Sequence, residues 1–193
     1  MFATFALAGE KRGTAILVAD RPEGPYEPWS EGPVTPEDWL SLDGTLYVDE
    51  AGDPWMVFCH EWVQIQNDTV EAMRLTSDLK CAAGEPVTLF HGSDAPWSKP
   101  WAENNYVTDG PFLYRENGKL MRLWSSFSAG DYTMGVAEST SGKVTGPWIQ
   151  HEKPLCDADG GHGMVFHNLT GKRFYVVHTP NSRQKERPLI IPF

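Results

Sequence analysis

Short apolar runs alternate along the chain with Gly, Pro, Asn and Asp, and sustained helical periodicity is nearly absent. Such punctuation predicts an all-β chain of short strands joined by tight turns. Compared with itself, the sequence contains a repeat. Asp43-Gly44-Thr45-Leu46-Tyr47, Asp109-Gly110-Pro111-Phe112-Leu113 and His162-Gly163-Met164-Val165-Phe166 superpose without a gap. At one fixed offset beyond each lies a turn glycine, Gly52, Gly118 or Gly171, followed by an apolar strand: 55–62, 120–127 and 174–178. Each unit therefore reads as strand, hairpin turn, strand.

Third strands follow in two of the clearest places. Residues 132–138 lead to Gly146-Pro147-Trp148, and residues 14–20 lead to Gly24-Pro25-Tyr26; the run 70–75 holds the same place between them. Repeats of this size, each with three or four short antiparallel strands, predict the blades of a β-propeller. A plain sandwich explains the strands but not their recurrence. The blades divide the chain into a remainder of blade 1 (1–40), blade 2 (41–105), blade 3 (106–155) and blade 4 (156–193). Met1–Phe5 matches a second strand, so the inner strand of that blade is expected ahead of Met1. Residues 189–193 begin a further strand. The 193 residues are thus expected to hold about three and a half blades of a longer protein.

The first strand of a propeller blade lines the central channel. The repeat therefore predicts Asp43, Asp109 and His162 at equivalent positions, with three polar side chains converging on one cavity.

Composition narrows the partners. Lys and Arg number 16 against 26 Asp and Glu, a net charge of −10, and no basic stripe stands out. That excludes nucleic acid and anionic membrane surfaces as expected partners, and no apolar run approaches membrane-spanning length. A neutral sugar remains compatible. Cys59, Cys81 and Cys156 are far apart and odd in number, which speaks against a zinc site or a disulfide framework. Met1–Leu7 has neither a basic stretch nor a cleavage site and is not read as a signal peptide. The compartment stays open, with a secreted or periplasmic parent compatible. Eight Trp are unusual for this length, and aromatic rings are natural platforms for the apolar faces of sugars.

With these motifs in order, the chain resembles glycoside hydrolase family 43 from about Met1 to Phe193. The run from Leu42 to Gly52 resembles the family's second-blade motif. Thr108-Asp109-Gly110-Pro111 resembles its third-blade Glu-Gly-Pro, with Asp for Glu, and Gly161-His162-Gly163 resembles its fourth-blade motif. His178-Thr179-Pro180-Asn181 and Glu186-Arg187-Pro188 are also similar to the family. The resemblance implies a five-bladed propeller that hydrolyses glycosidic bonds in arabinose-, xylose- or galactofuranose-containing saccharides. It implies Asp109 as general acid and Asp43 as the residue that orients it and tunes its pKa. The family's general base, carried by the inner strand of the first blade, has no counterpart in this chain.

Inverting hydrolysis needs an acid for the departing oxygen and a base for the attacking water, with carboxyls roughly 6.5–9.5 Å apart. Burial and a neighbouring negative charge would let Asp109 hold its proton near neutral pH. No cofactor is required. His162 is the candidate ligand of a channel cation, calcium or sodium, held mostly by water. Trp62 is the preferred sugar platform; His60, Glu61, Trp124, Ser125 and Arg187 are further candidate substrate contacts, and Glu61 is a rival catalytic carboxylate. The alternative function is a propeller that binds carbohydrate without cleaving it. Self-association through open blade edges is expected.

Overall fold

The computed structural model describes residues 1–6 and 11–193. Among the described residues, fourteen strands form four antiparallel sheets in chain order. The first contains β1 (Phe2–Phe5), β2 (Gly13–Val18) and β3 (Glu27–Pro33). The second runs β4 (Ser41–Val48), β5 (Pro54–His60), β6 (Thr69–Arg74) and β7 (Val87–His91), with a single helical turn, α1 (Trp62–Ile65), between β5 and β6. The third runs β8 (Asp109–Glu116), β9 (Lys119–Ser128), β10 (Asp131–Ser139) and β11 (Trp148–Gln150). The fourth contains β12 (Gly161–His167), β13 (Arg173–Thr179) and β14 (Arg187–Pro192). Each strand pairs with its sequence neighbours within a sheet, the meander expected of propeller blades.

The turns follow from their residues. Asp49 ends β4 and turns the chain by accepting the Ala51 and Asp53 amides on Oδ1, at 2.9 and 3.0 Å, before Gly52 takes a φ of 86°. Asn117-Gly118 closes the β8–β9 hairpin with both residues at positive φ, as a tight two-residue turn demands.

The middle strands are apolar at successive positions because both of their faces are covered. On β5, Met56 and Phe58 pack toward the first sheet, with Ile16 and Met73, while Val57 faces the third sheet. On β9, Leu120 and Trp124 face the second sheet, and Met121 and Leu123 meet Tyr175 and Val177 of the fourth. Strict alternation therefore sorts each strand between two inter-sheet cores.

Candidate active site

The inner strands of sheets two to four carry the same irregularity. The ladder slips between Leu42 and Thr45, between Asp109 and Phe112, and between Gly161 and Met164. In each slip one residue is left-handed: Asp43 at φ 59°, Gly110 at φ 52° and His162 at φ 52°. A bulge of this kind turns its residue out of the ladder and re-aims it. The expected equivalence therefore holds for Asp43 and His162 and is corrected for Asp109. Asp109 stands one residue earlier, in register with Leu42 and Gly161. Aligning the repeats on their glycines hid the slip, because the bulge requires a positive φ rather than a particular residue.

The freed bulge amides have matching fates. The Asp43 N–H donates to Thr4 Oγ1 at 3.1 Å and the His162 N–H donates to Ser125 Oγ at 2.8 Å. Thr4 lies on β1 and Ser125 on β9, so β1 stands in the second-strand position of its sheet. In the third sheet the corresponding neighbour is Cys59, which pairs with Leu42 as Ser125 pairs with Asp109. A thiol is a poor acceptor, and there the Gly110 N–H donates to Asp43 Oδ2 instead, at 3.0 Å.

That bond fixes the geometry of the site. Asp43 accepts the amide joined directly to Asp109, so bonded reach keeps the two carboxyls within roughly 8 Å. The same oxygen of Asp43 faces His162, whose Nδ1 lies 3.7 Å from Oδ2. Asp43 is 19% exposed and His162 42%. A Cβ on Gly110 would stand 2.7 Å from the His162 ring, so this glycine is required twice, for its φ and for the close approach. Thr45 Oγ1 donates to the Pro111 carbonyl at 2.6 Å and ties the two inner strands together.

Asp109 Oδ2 accepts the Tyr132 hydroxyl at 2.9 Å. Gly161 makes room for that ring, since a Cβ there would lie 2.6 Å from it. Burial, reinforced by the Asp43 carboxylate, pushes the Asp109 carboxyl up to about 6, against the opposing pull of His162 and of the Tyr132 bond. A carboxyl so placed can hold a proton near neutral pH and deliver it to an oxygen that becomes basic.

The remaining sequence candidates divide. Trp62 opens α1 rather than ending β5, and its half-buried ring lies 5.5 Å from that of Trp101. Glu61 is buried and paired with Arg12, and burial raises its pKa despite that cation. Three candidates lie away from any sugar-accessible surface. His60 is stacked on Trp39 at 4.0 Å and bonded to Gln64. Trp124 is 0% exposed within the core between sheets two and three, its indole N–H donating to Gln150. Ser125 is equally buried and holds the bulge amide of His162. Both lie on a strand covered on its two faces, which the apolar pattern does not distinguish from a channel wall. Arg187 is exposed, donates to the Glu186 carbonyl at 2.7 Å and lines a shallow hollow with His162 and His178.

Two functional candidates escaped the sequence reading. Tyr132 reads as an ordinary strand residue, and only the fold brings its hydroxyl to Asp109. Trp101 is 54% exposed in the long β7–β8 connection, where an isolated loop tryptophan was the available signal. Together they extend an aromatic arc from Asp109: Tyr132 to Phe127 at 5.4 Å, Phe127 to Trp101 at 6.1 Å, and Trp101 to Trp62. Among the described residues, no three His, Cys, Asp or Glu side chains converge to hold an ion.

Comparison with known proteins identifies the family and the fold. The sequence profile described as "Glycosyl hydrolases family 43" matches residues 1–190. A curated relative, the β-D-galactofuranosidase xynD of Aspergillus niger, is 26% identical over 86% of this chain; the chain spans 46% of that relative's length. The crystal structure of an endo-arabinase from Bacteroides thetaiotaomicron superposes with a TM-score of 0.95 at 47% identity, covering 100% of this chain and 69% of that one. A thermostable family-43 glycoside hydrolase, 21% identical, shares the fold with a TM-score of 0.83 over 98% of this chain and 66% of its own. The β-propeller expected from the repeat is thus the fold of its relatives, and the chain belongs to glycosyl hydrolases family 43.

Proposed function

We propose that the intact protein hydrolyses glycosidic bonds, with inversion, in oligo- or polysaccharides containing arabinose, xylose or galactofuranose. Asp109 is the general acid. Asp43 orients it through the Gly110 amide and raises its pKa by its own charge. The observation that carries this reading is a half-buried carboxyl, its pKa pushed up to about 6 by burial and by Asp43, beside a carboxylate that accepts the amide next to it. Few structural roles need such a pair, whereas protonation of a leaving oxygen does. Two of the named relatives, the endo-arabinase and the β-D-galactofuranosidase, carry arabinose- and galactofuranose-type activities in their names, which favours a furanoside.

The aromatic arc starts at Asp109, on the side where the leaving group departs. Its ring-to-ring steps of 5.4–6.1 Å suit successive sugar units, so the departing portion is proposed to lie along Trp101 and Trp62. Arg187 is proposed to contact sugar hydroxyls beside His162. The base for the attacking water is proposed to lie on the inner strand of the first blade. The test is turnover of arabinan, xylan and galactofuranosides by the intact protein, with the anomer of the first product read by proton NMR. Hydrolysis with an inverted anomer, abolished in Asp109→Ala, is expected. A retained anomer, or undiminished turnover in the variant, would overturn the assignment.

A further inference from the structure

Another carboxyl, fully buried, lies behind Asp109 and takes no part in the chemistry above. Asp68, only 2% exposed, sits between α1 and β6. Its main chain is used in both directions: its N–H donates to the Tyr106 carbonyl at 3.0 Å, and its carbonyl accepts the Gly92 N–H at 2.8 Å. Its side-chain Oδ2 accepts the Thr108 N–H at 2.7 Å. Thr108 immediately precedes Asp109, and its hydroxyl reaches back to the Thr69 carbonyl at 3.4 Å. The Tyr106 N–H, in turn, donates to the Gln66 carbonyl at 3.0 Å. The segment 66–69 is thus laced to 106–108, the three residues through which the chain enters the inner strand of the acid.

The other oxygen, Oδ1, is buried with no hydrogen-bond partner. The charged groups acting on Asp68 are Asp109 on β8, Glu61 ahead of α1 and Asp43 on β4, all carboxyls. Arg12 is paired with Glu61. Cys59 on β5, also beside the cluster, is kept a neutral thiol by burial and by Asp43. An ionised Asp68 would be a buried, half-satisfied anion among three others, which is the costliest arrangement available to it. Burial, against the Thr108 bond and with the three carboxyls adding, pushes it up to about 9.

We propose that Asp68 is a positioning residue for Asp109 that works as a neutral carboxylic acid. One oxygen anchors the Thr108 amide and so fixes where Asp109 enters the channel. The absent charge leaves Asp43 as the carboxylate that tunes the acid. The kinetic part of this inference rests on the proposed glycosidase reading; the structural part does not.

Two variants of the intact protein separate the effects. Asp68→Asn keeps an acceptor for the Thr108 amide and the neutral charge, whereas Asp68→Leu keeps only the volume. Asn is expected to retain kcat and the alkaline limb of the pH–rate profile close to wild type. Leu is expected to lower kcat roughly 10–100-fold with little change in KM, as a misplaced acid does. An alkaline limb moved to lower pH in Asp68→Asn would mean that a negative charge had been removed, and would overturn the proposal. Two readouts need no turnover. The Asp68 carboxyl carbon, identified in ¹³C-aspartate spectra by its loss in Asp68→Asn, should not titrate between pH 4 and 8. The Thr108 amide should stay protected from hydrogen exchange in the Asn variant and lose protection in Leu. Absence of turnover in the wild type with these two results intact sinks the glycosidase reading alone. Titration of Asp68 near pH 4, or an unchanged Thr108 amide in Leu, sinks this one. Should Leu fail to fold, the carboxyl titration and the Asn profile still decide it.

Discussion

The two middle sheets and the two flanking ones are built from similar strands but packed differently. Sheets two and three close on each other over Val57, Val70, Phe90, Trp97, Leu120 and Trp124, all nearly or wholly buried. In the flanking sheets, Phe5 and Val18 of the first, and Met164, Leu189 and Ile190 of the fourth, stand open to solvent. The site follows this division. Asp43 and Asp109 spring from the closed pair, where the inner strands are fastened by Thr45 and by the Asp43–Gly110 bond. His162 comes from the fourth sheet and is the most exposed of the three. A carboxyl pair whose mutual distance sets a pKa needs rigid supports, and the closed pair supplies them.

Hollowing the closed pair is expected to have the largest effect on stability. Trp124→Ala removes the largest fully buried side chain, and a loss of about 3–5 kcal/mol in chemical denaturation is expected. Gly135→Ala adds volume to the same core instead. Its Cβ would lie 2.2 Å from the Trp97 ring, and overpacking of this kind costs about 1–3 kcal/mol. Polar substitution of Leu189 and Ile190 should move the unfolding midpoint by no more than ~0.5 kcal/mol, since both are already exposed. The same change is expected to reduce self-association in sedimentation velocity. A large destabilisation there, with Trp124→Ala tolerated, would reverse the contrast drawn here.

The acid itself carries a stability signature. The Asp109 carboxyl, raised from its ordinary 3.8 to about 6, binds its proton more tightly folded than unfolded. Stability attached to that proton is full below about pH 4 and is lost as pH rises to about 6. Asp109→Asn removes the group and the loss together. The variant should melt roughly 3–8 °C higher than wild type at pH 7, and no higher at pH 3.5. Equal melting at both pH values would mean that Asp109 is not held in the environment described.

Much of the propeller was legible in the sequence because its signals are local. Turn glycines, Asn117-Gly118 and the apolar runs mark hairpins wherever they occur, and the repeat multiplies them. The register of the bulge was not legible. A left-handed residue is visible when it is Gly110, but Asp43 and His162 reach the same conformation without announcing it. Burial on both faces also erased the alternation that would have placed Trp124 and Ser125 inside. Tyr132, Trp101 and Asp68 belong to the site only through contacts between sheets, or between a loop and a strand, and no spacing within one repeat records such contacts.

In the proposed reaction, Asp109 delivers the proton to the departing oxygen. The most direct test of this step is the dependence of rate on the leaving group in Asp109→Asn of the intact protein. Alkyl or sugar leaving groups need protonation and should lose ~10²–10⁴-fold, whereas activated aryl glycosides should lose far less. Asp43→Asn serves as the contrast: it should slow both classes and move the alkaline limb to lower pH, because Asp43's charge holds the acid's pKa up. A steep leaving-group dependence confined to Asp109→Asn is the predicted result. Equal losses on both classes of substrate would contradict the account and leave Asp109 a positioning residue.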